Sequence, residues 1–182
     1  MIEVFDLPIP GAKILKLNRH NDKRGWFTET FRKSWLTEAG INDNFIFDYW
    51  SFNKSKNTLR GLHAQSKEAP QSKLISVLNG SIQDVIVDAR PYSITYKQHC
   101  SIILTKDNPC VVYIPKGCYH GFLTLESNTY VGYKLDNYHD SNSEVGIRWN
   151  CEELNIDWLS KKSPITSIRD KNHPFWNDAY KF

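Results

Sequence analysis

The chain has 182 residues, enough for one full hydrophobic core, and a single domain over 1–182 is the simplest expectation. Its 23 basic and 20 acidic residues leave a net charge of only +3, scattered along the chain, which argues against a nucleic-acid or membrane surface as partner. No stretch approaches the roughly 18 apolar residues of a membrane span, and Met1–Asp6 has neither the basic start nor the apolar run of a signal peptide.

In chain order, Ala12 to Leu17 reads as a strand. Asp22-Lys23-Arg24-Gly25 is a turn signal, and Trp26 to Phe31 alternates like a second strand. Arg32 to Ala39 predicts a short helix stopped by Gly40. Phe45 to Phe52 is aromatic and β-like, with Asp48 and Trp50 on one face by parity. Lys73 to Leu78 predicts a strand ending in Asn79-Gly80, a hairpin signal that makes Ser81 to Asp88 its partner. Further strands are expected at Gln98–Leu104, Val111–Ile114, Thr129–Leu135 and Val145–Trp149. The turn Pro115-Lys116-Gly117 delivers Cys118-Tyr119-His120-Gly121-Phe122, and the tail around Pro164, Asp170 and Pro174 reads as irregular. Many short strands between Gly, Pro and Asn turns, with one early helix, predict an all-β protein closed as a jelly roll.

The stretch Thr58-Leu59-Arg60-Gly61-Leu62-His63 sets a guanidinium and an imidazole three residues apart. The first suits a phosphate or carboxylate, and the second is the commonest general base near neutral pH. A surface arginine beside a core histidine explains so short a stretch equally well. Strict alternation would send the two to opposite faces, but a glycine between them often marks a bulge. Lys73 opens an apolar strand, although lysine is rarely buried without a partner. Asp84 and Asp88 lie in a run that otherwise reads as buried, so each needs a histidine or arginine. The four cysteines form no CxxC pair and fit free thiols in a cytosolic protein. No His-x-His or His-Glu-x-x-His spacing occurs, position 65 is Gln65, and Lys73 would repel a divalent ion in a shared cavity. No metal is therefore expected.

Eight landmarks then fall in one order: Asp22-x-Arg24-Gly25-x-Phe27-x-Glu29; Leu59-Arg60-Gly61-Leu62-His63-x-Gln65; Lys73-Leu74-Ile75; Gly80-x-Ile82-x-Asp84-Val85-x-Val87-Asp88-x-Arg90; Ile114-Pro115-x-Gly117-x-x-His120-Gly121-Phe122; Tyr133-Lys134-x-x-x-Tyr138; Ile147-Arg148-Trp149-Asn150; and Ser167-x-x-Asp170. From Ile14 to about Asp170 the chain resembles the dTDP-4-dehydrorhamnose 3,5-epimerases of bacterial surface-polysaccharide synthesis. The resemblance implies a cupin-type jelly-roll barrel with a few short peripheral helices. It implies a nucleotide-diphosphate 4-keto sugar as substrate and a homodimer that shares site residues across its interface.

By position, the resemblance makes His63 the proton acceptor, Asp170 its orienting carboxylate and Tyr133 the proton donor. It gives Lys73 and His120 to the sugar and its keto oxygen, and Arg60 to the diphosphate. Arg24, Phe27 and Glu29 would serve a neighbouring subunit's ligand, and Tyr138 would stack on the base. Asp48, Gln65, Glu144 and Arg169 stand at further ligand-contacting positions. The chemistry agrees: epimerising a carbon beside a ketone needs a base and an acid on opposite faces, with a cation near the enolate oxygen. No redox cofactor is needed, because the ketone is already present.

Asp48-Tyr49-Trp50 replaces an expected Gln-Asp-Asn type of segment, Arg169 an expected lysine, and His20 an expected aromatic. All three departures bear on the nucleotide side. The alternatives are therefore a single-carbon epimerase, an enzyme of a GDP- or CDP-linked hexose or heptose, a non-catalytic sugar-binding jelly roll, and a metal-dependent cupin.

Overall fold

The computed structural model describes residues 2–182. Thirteen strands run in chain order as β1 (Glu3–Asp6), β2 (Lys13–Lys16), β3 (Arg19–Asp22), β4 (Gly25–Thr28), β5 (Phe47–Asn53), β6 (Leu59–Gln65), β7 (Lys73–Asn79), β8 (Ser81–Asp88), β9 (His99–Thr105), β10 (Cys110–Ile114), β11 (Cys118–Thr124), β12 (Thr129–Leu135) and β13 (Glu144–Gly146). Helix α1 (Lys33–Glu38) follows β4, and α2 (Ile168–Asn172) precedes a final 3-10 turn, Trp176–Asp178. No helix among the described residues is long and apolar enough to cross a membrane.

The strands build two facing antiparallel sheets, β1-β2-β10-β7-β12-β5 and β13-β6-β11-β8-β9, with β3–β4 as a separate hairpin. This is the expected jelly roll, but one connection corrects the sequence reading. Asn79-Gly80 does not make β7 and β8 a paired hairpin: β7 pairs with β10 and β12, while β8 pairs with β9 and β11. The dipeptide instead turns a corner from one sheet to the other. Gly80 is needed there because φ is +82° and the backbone runs against Thr129. A local turn signal is satisfied by either arrangement. Pro115-Lys116-Gly117 makes the same kind of crossing between β10 and β11.

Alternation along each strand sorts side chains into layers. Ile75 and Val77 of β7, Ile82 and Ile86 of β8, Phe122 of β11, and Val131 and Leu135 of β12 meet between the sheets as the main core. Leu36 of α1 and Ile41 cover Leu15, Leu74 and Val111 on the outside of the six-stranded sheet. The carboxy-terminal segment lays Ile147, Leu154 and Trp176 over Leu62, Val85, Val87 and Tyr119 on the outside of the other. Burying each such side chain contributes roughly 1.5–3 kcal/mol. The tail expected to be irregular is thus a packed cover carrying α2, and it brings Asp170 to β6.

Candidate active site

The barrel opens into a cavity of about 570 Å3, within the size range of small-molecule sites. Its walls come from both sheets. From the five-stranded sheet come Arg60, His63 and Gln65 of β6, His120 and Phe122 of β11, and Glu144 of β13. Tyr49 and Ser51 of β5, Lys73 of β7 and Tyr133 of β12 come from the six-stranded sheet, while Arg169 and Asp170 of α2 close one side.

Arg60 and His63 share the cavity because β6 is bulged. His63 pairs with His120 and Arg60 with Phe122, so three steps along β6 match two along β11. The extra residue falls at Gly61-Leu62. Gly61 has φ +116°, and a methyl group there would lie 2.7 Å from Gly121 Cα and 2.8 Å from the His120 carbonyl oxygen. Only glycine permits that approach.

His63 Nε2 lies 2.8 Å from Asp170 Oδ1, while Gly61 N–H donates to Asp170 Oδ2 at 3.2 Å. Ser167 caps α2 by accepting from the Asp170 N–H at 3.0 Å, which holds the carboxylate in place. Asp170 is only 4% exposed. Burial alone would raise its pKa, but the bond and charge of His63, with Gly61 and Ser167, hold it below the usual carboxylate value. A carboxylate so placed accepts from Nε2–H, leaving Nδ1 as the basic nitrogen. Tyr133 stands on the opposite sheet. Burial, then the neighbouring Tyr49, pushes its phenol well above the ordinary value, so it stays protonated.

Lys73 is 8% exposed and donates to the His63 carbonyl at 3.2 Å. Burial lowers its ammonium to about 8, against the upward pull of Glu144 and Asp84. Asp84, fully buried, has the histidine partner its sequence context demanded: His120 Nε2 sits 2.6 Å from Oδ1. Asp88 likewise meets Arg90, at 2.8 Å to each oxygen. Arg60 is braced by Asn53 Oδ1, which accepts from its Nε at 2.8 Å. Glu144 bonds His139 at 2.7 Å and Arg169 at 2.9 Å. Burial would raise the Glu144 carboxyl, but His139, His63 and Arg169 together hold it low. Gln65 lines the cavity while accepting from the Asp140 N–H.

The remaining expected residues lie elsewhere. Arg24, paired with Asp22, and Phe27, 67% exposed, sit on the β3–β4 hairpin, outside the cavity of their own chain. Glu29, just beyond it, pairs with Arg32. Asp48, expected at the ligand, does not line this cavity. Alternation along β5 turns Asp48 outwards with Trp50, where Lys134 meets it at 3.1 Å, and presents Tyr49 to the cavity instead. Tyr138, beside the lining residue His139, is exposed with its ring 5.8 Å from Phe47.

Sequence reasoning missed two features. Tyr49 stacks on Tyr133 with centroids 4.5 Å apart; alternation sets Tyr49 on the face opposite Asp48 and Trp50, but the register that pairs it with Tyr133 shows only in the fold. His173 lies beside Asp170, so that His63, Asp170 and His173 offer three ligand atoms within 4.8 Å of one another. The absence of paired-histidine spacing could not reveal a group drawn from β6 and the tail.

Known proteins resemble this chain in both sequence and fold. The family model described as dTDP-4-dehydrorhamnose 3,5-epimerase matches residues 6–178. The Escherichia coli K12 dTDP-4-dehydrorhamnose 3,5-epimerase is 37% identical over 171 residues, spanning 93% of this chain and 92% of the relative. The Bacillus anthracis dTDP-4-dehydrorhamnose 3,5-epimerase, solved with TDP and PPi bound, superposes with a TM-score of 0.93 at 40% identity, covering 96% of this chain and 99% of that one. A Legionella pneumophila dTDP-6-deoxy-D-glucose-3,5-epimerase in complex with dTDP-4-keto-L-rhamnose gives 0.92 at 35%, covering 97% and 94%.

Proposed function

The chain belongs to the dTDP-4-dehydrorhamnose 3,5-epimerase family and is an isomerase of a nucleotide-linked sugar, and from that premise we propose how its cavity works. The substrate is a dTDP-linked 4-keto-6-deoxyglucose, inverted at C3 and C5 to the dTDP-4-dehydrorhamnose configuration. His63 Nδ1 removes the proton beside the ketone, and Asp170 holds the imidazole in that tautomer and stabilises the imidazolium that forms. The electron pair moves into the ring as an enolate, whose oxygen is met by Lys73 and His120. Tyr133 returns a proton from the other face, and the ketone re-forms.

The observation that carries this reading is the opposition of His63 and Tyr133 on facing sheets, with Lys73 between them in sequence and beside His63 in space. A purely binding barrel has no use for a histidine tied to a buried carboxylate opposite a protonated phenol. Arg60 takes the diphosphate, with Gln65, Glu144 and Arg169 around the ligand and Tyr138 against the base. Arg24, Phe27 and Glu29 reach the cavity of a second subunit, so the working unit is a homodimer. Support for that is their position outside their own cavity, on or just beyond a hairpin paired with neither sheet.

The test is incubation with dTDP-4-keto-6-deoxyglucose in heavy water, following the sugar protons by NMR. The C3 and C5 signals should both disappear, and His63→Ala should abolish the exchange while leaving nucleotide binding largely intact. Loss of a single signal would make it a one-carbon epimerase. Undiminished exchange in His63→Ala would remove His63 as the base.

A further inference from the structure

His173 has no part in the reaction described above, yet it stands against the His63–Asp170 pair. It follows α2, its side chain is 11% exposed, and its ring packs on Gly146, where any β-carbon would collide with it. Its Nε2 is buried without a hydrogen-bond partner. That same atom lies 3.8 Å from Asp170 Oδ1, and the ring sits edge-on to His63 at 5.3 Å between centroids. An orphaned buried nitrogen is costly, so this one calls for a partner.

The group has the character of a coordination face. Two neutral imidazoles and a carboxylate are a donor set for Zn2+ and related borderline cations, which hold such ligands at about 2.0–2.2 Å. The ligand atoms already lie within 4.8 Å of one another. The backbone around them is tied down: Gly61 N–H holds Asp170, and Arg148 donates from its side chain to the His173 carbonyl oxygen at 3.2 Å.

We propose that His63, Asp170 and His173 form an inhibitory site for a divalent cation of the Zn2+ class. The chemistry follows from the tautomer. For Nε2 of His63 to give its lone pair to the ion, its proton must move to Nδ1. In the neutral ring the proton only changes nitrogen and nothing is oxidised, but the nitrogen that should accept the sugar's proton becomes an N–H donor. The base is then switched off without being removed. Lys73, Arg60 and Arg169 line the same cavity and oppose the ion, while Asp170 and Glu144 favour it. That balance makes the site reversible rather than a tight structural one.

The inhibitory half of this proposal rests on His63 being the base; occupancy does not, and is read separately. Chelator-stripped protein is titrated with Co2+, followed by absorption, and then with Zn2+. One Co2+ should bind per chain with the visible bands of a low-coordinate site, and Zn2+ should displace it. Proton exchange should fall in proportion to occupancy and return with chelator. His173→Phe should keep the metal-free exchange rate and need at least about tenfold more metal for equal occupancy. His173→Gln serves if the first variant fails to fold. No stoichiometric binding, equal binding by the His173 variants, binding without loss of exchange, or exchange that rises with metal would each overturn the proposal. Failure of the epimerase reading shows independently, as exchange that survives His63→Ala in metal-free protein.

Discussion

Lys73 illustrates how a single residue carries chemistry. It is buried, lies beside His63, the proposed base, and has its ammonium lowered to about 8, so it remains largely charged at neutral pH in a poorly solvated wall. Such a cation is worth far more to a developing oxyanion than one in water. Lys73→Met keeps the length and removes the charge. It should cost about 10²–10³ in kcat with a smaller change in KM, as measured by steady-state kinetics. A raised KM with kcat unchanged would place Lys73 in ground-state binding instead. The lysine's burial was legible from its place at the head of an apolar strand. Its neighbour was not, because the hydrogen bond to the His63 carbonyl joins β7 of one sheet to β6 of the other.

At the scale of elements, the bulge in β6 is the device that makes the site. Gly61→Ala forces a β-carbon into Gly121 and the His120 carbonyl, so β6 and β11 must separate. Displacing His63 by about 1 Å is expected to cost about 100-fold in activity. Circular dichroism and the exchange assay together would show a folded but inactive protein; a fully active one would remove the bulge from the argument. The corner after β8 offers a second test. Asp88 accepts from Arg90, Ser93 and Thr95. Burial would raise its carboxyl, but these bonds lower it from 3.8 to about 2. Its contribution, roughly 2 kcal/mol, is complete above pH 4 and disappears as pH falls through about 2. Asp88→Asn should therefore melt well below the native protein at pH 6, and the gap should narrow as the pH approaches 2 in calorimetry. Both aspartates in this strand announced their need for partners. The Asn-Gly turn before it did not announce which sheet it fed.

Across the whole molecule, the outer face of the six-stranded sheet stands out. Trp50 is 68% exposed, and Phe52, Tyr130 and Leu78 lie exposed on the same β5-β12-β7 surface, with Trp26 of the hairpin also uncovered. A patch of this kind on an isolated chain marks an interaction site. In the homodimer reading this face is covered by a second copy of the chain. Sedimentation should give twice the chain's mass, and Trp50→Arg should yield monomers with reduced exchange activity. A native protein that sediments as a monomer and is fully active would end the shared-site reading. The sequence alone determined the class of structure, because strand alternation and Gly, Pro and Asn turns are local properties of the chain. It also marked the residues whose chemistry needs explaining, such as Arg60, His63, Lys73, Asp84 and His120, since charged groups in apolar runs show without a structure. Only the tertiary structure decided which of them meet. Pairing β6 with β11 through a bulge set Arg60 and His63 on one face, parity on β5 sent Asp48 out and Tyr49 in, and the folded-back tail delivered Asp170 and His173. Those meetings depend on register and on contacts between distant segments, which side-chain order along a chain does not encode.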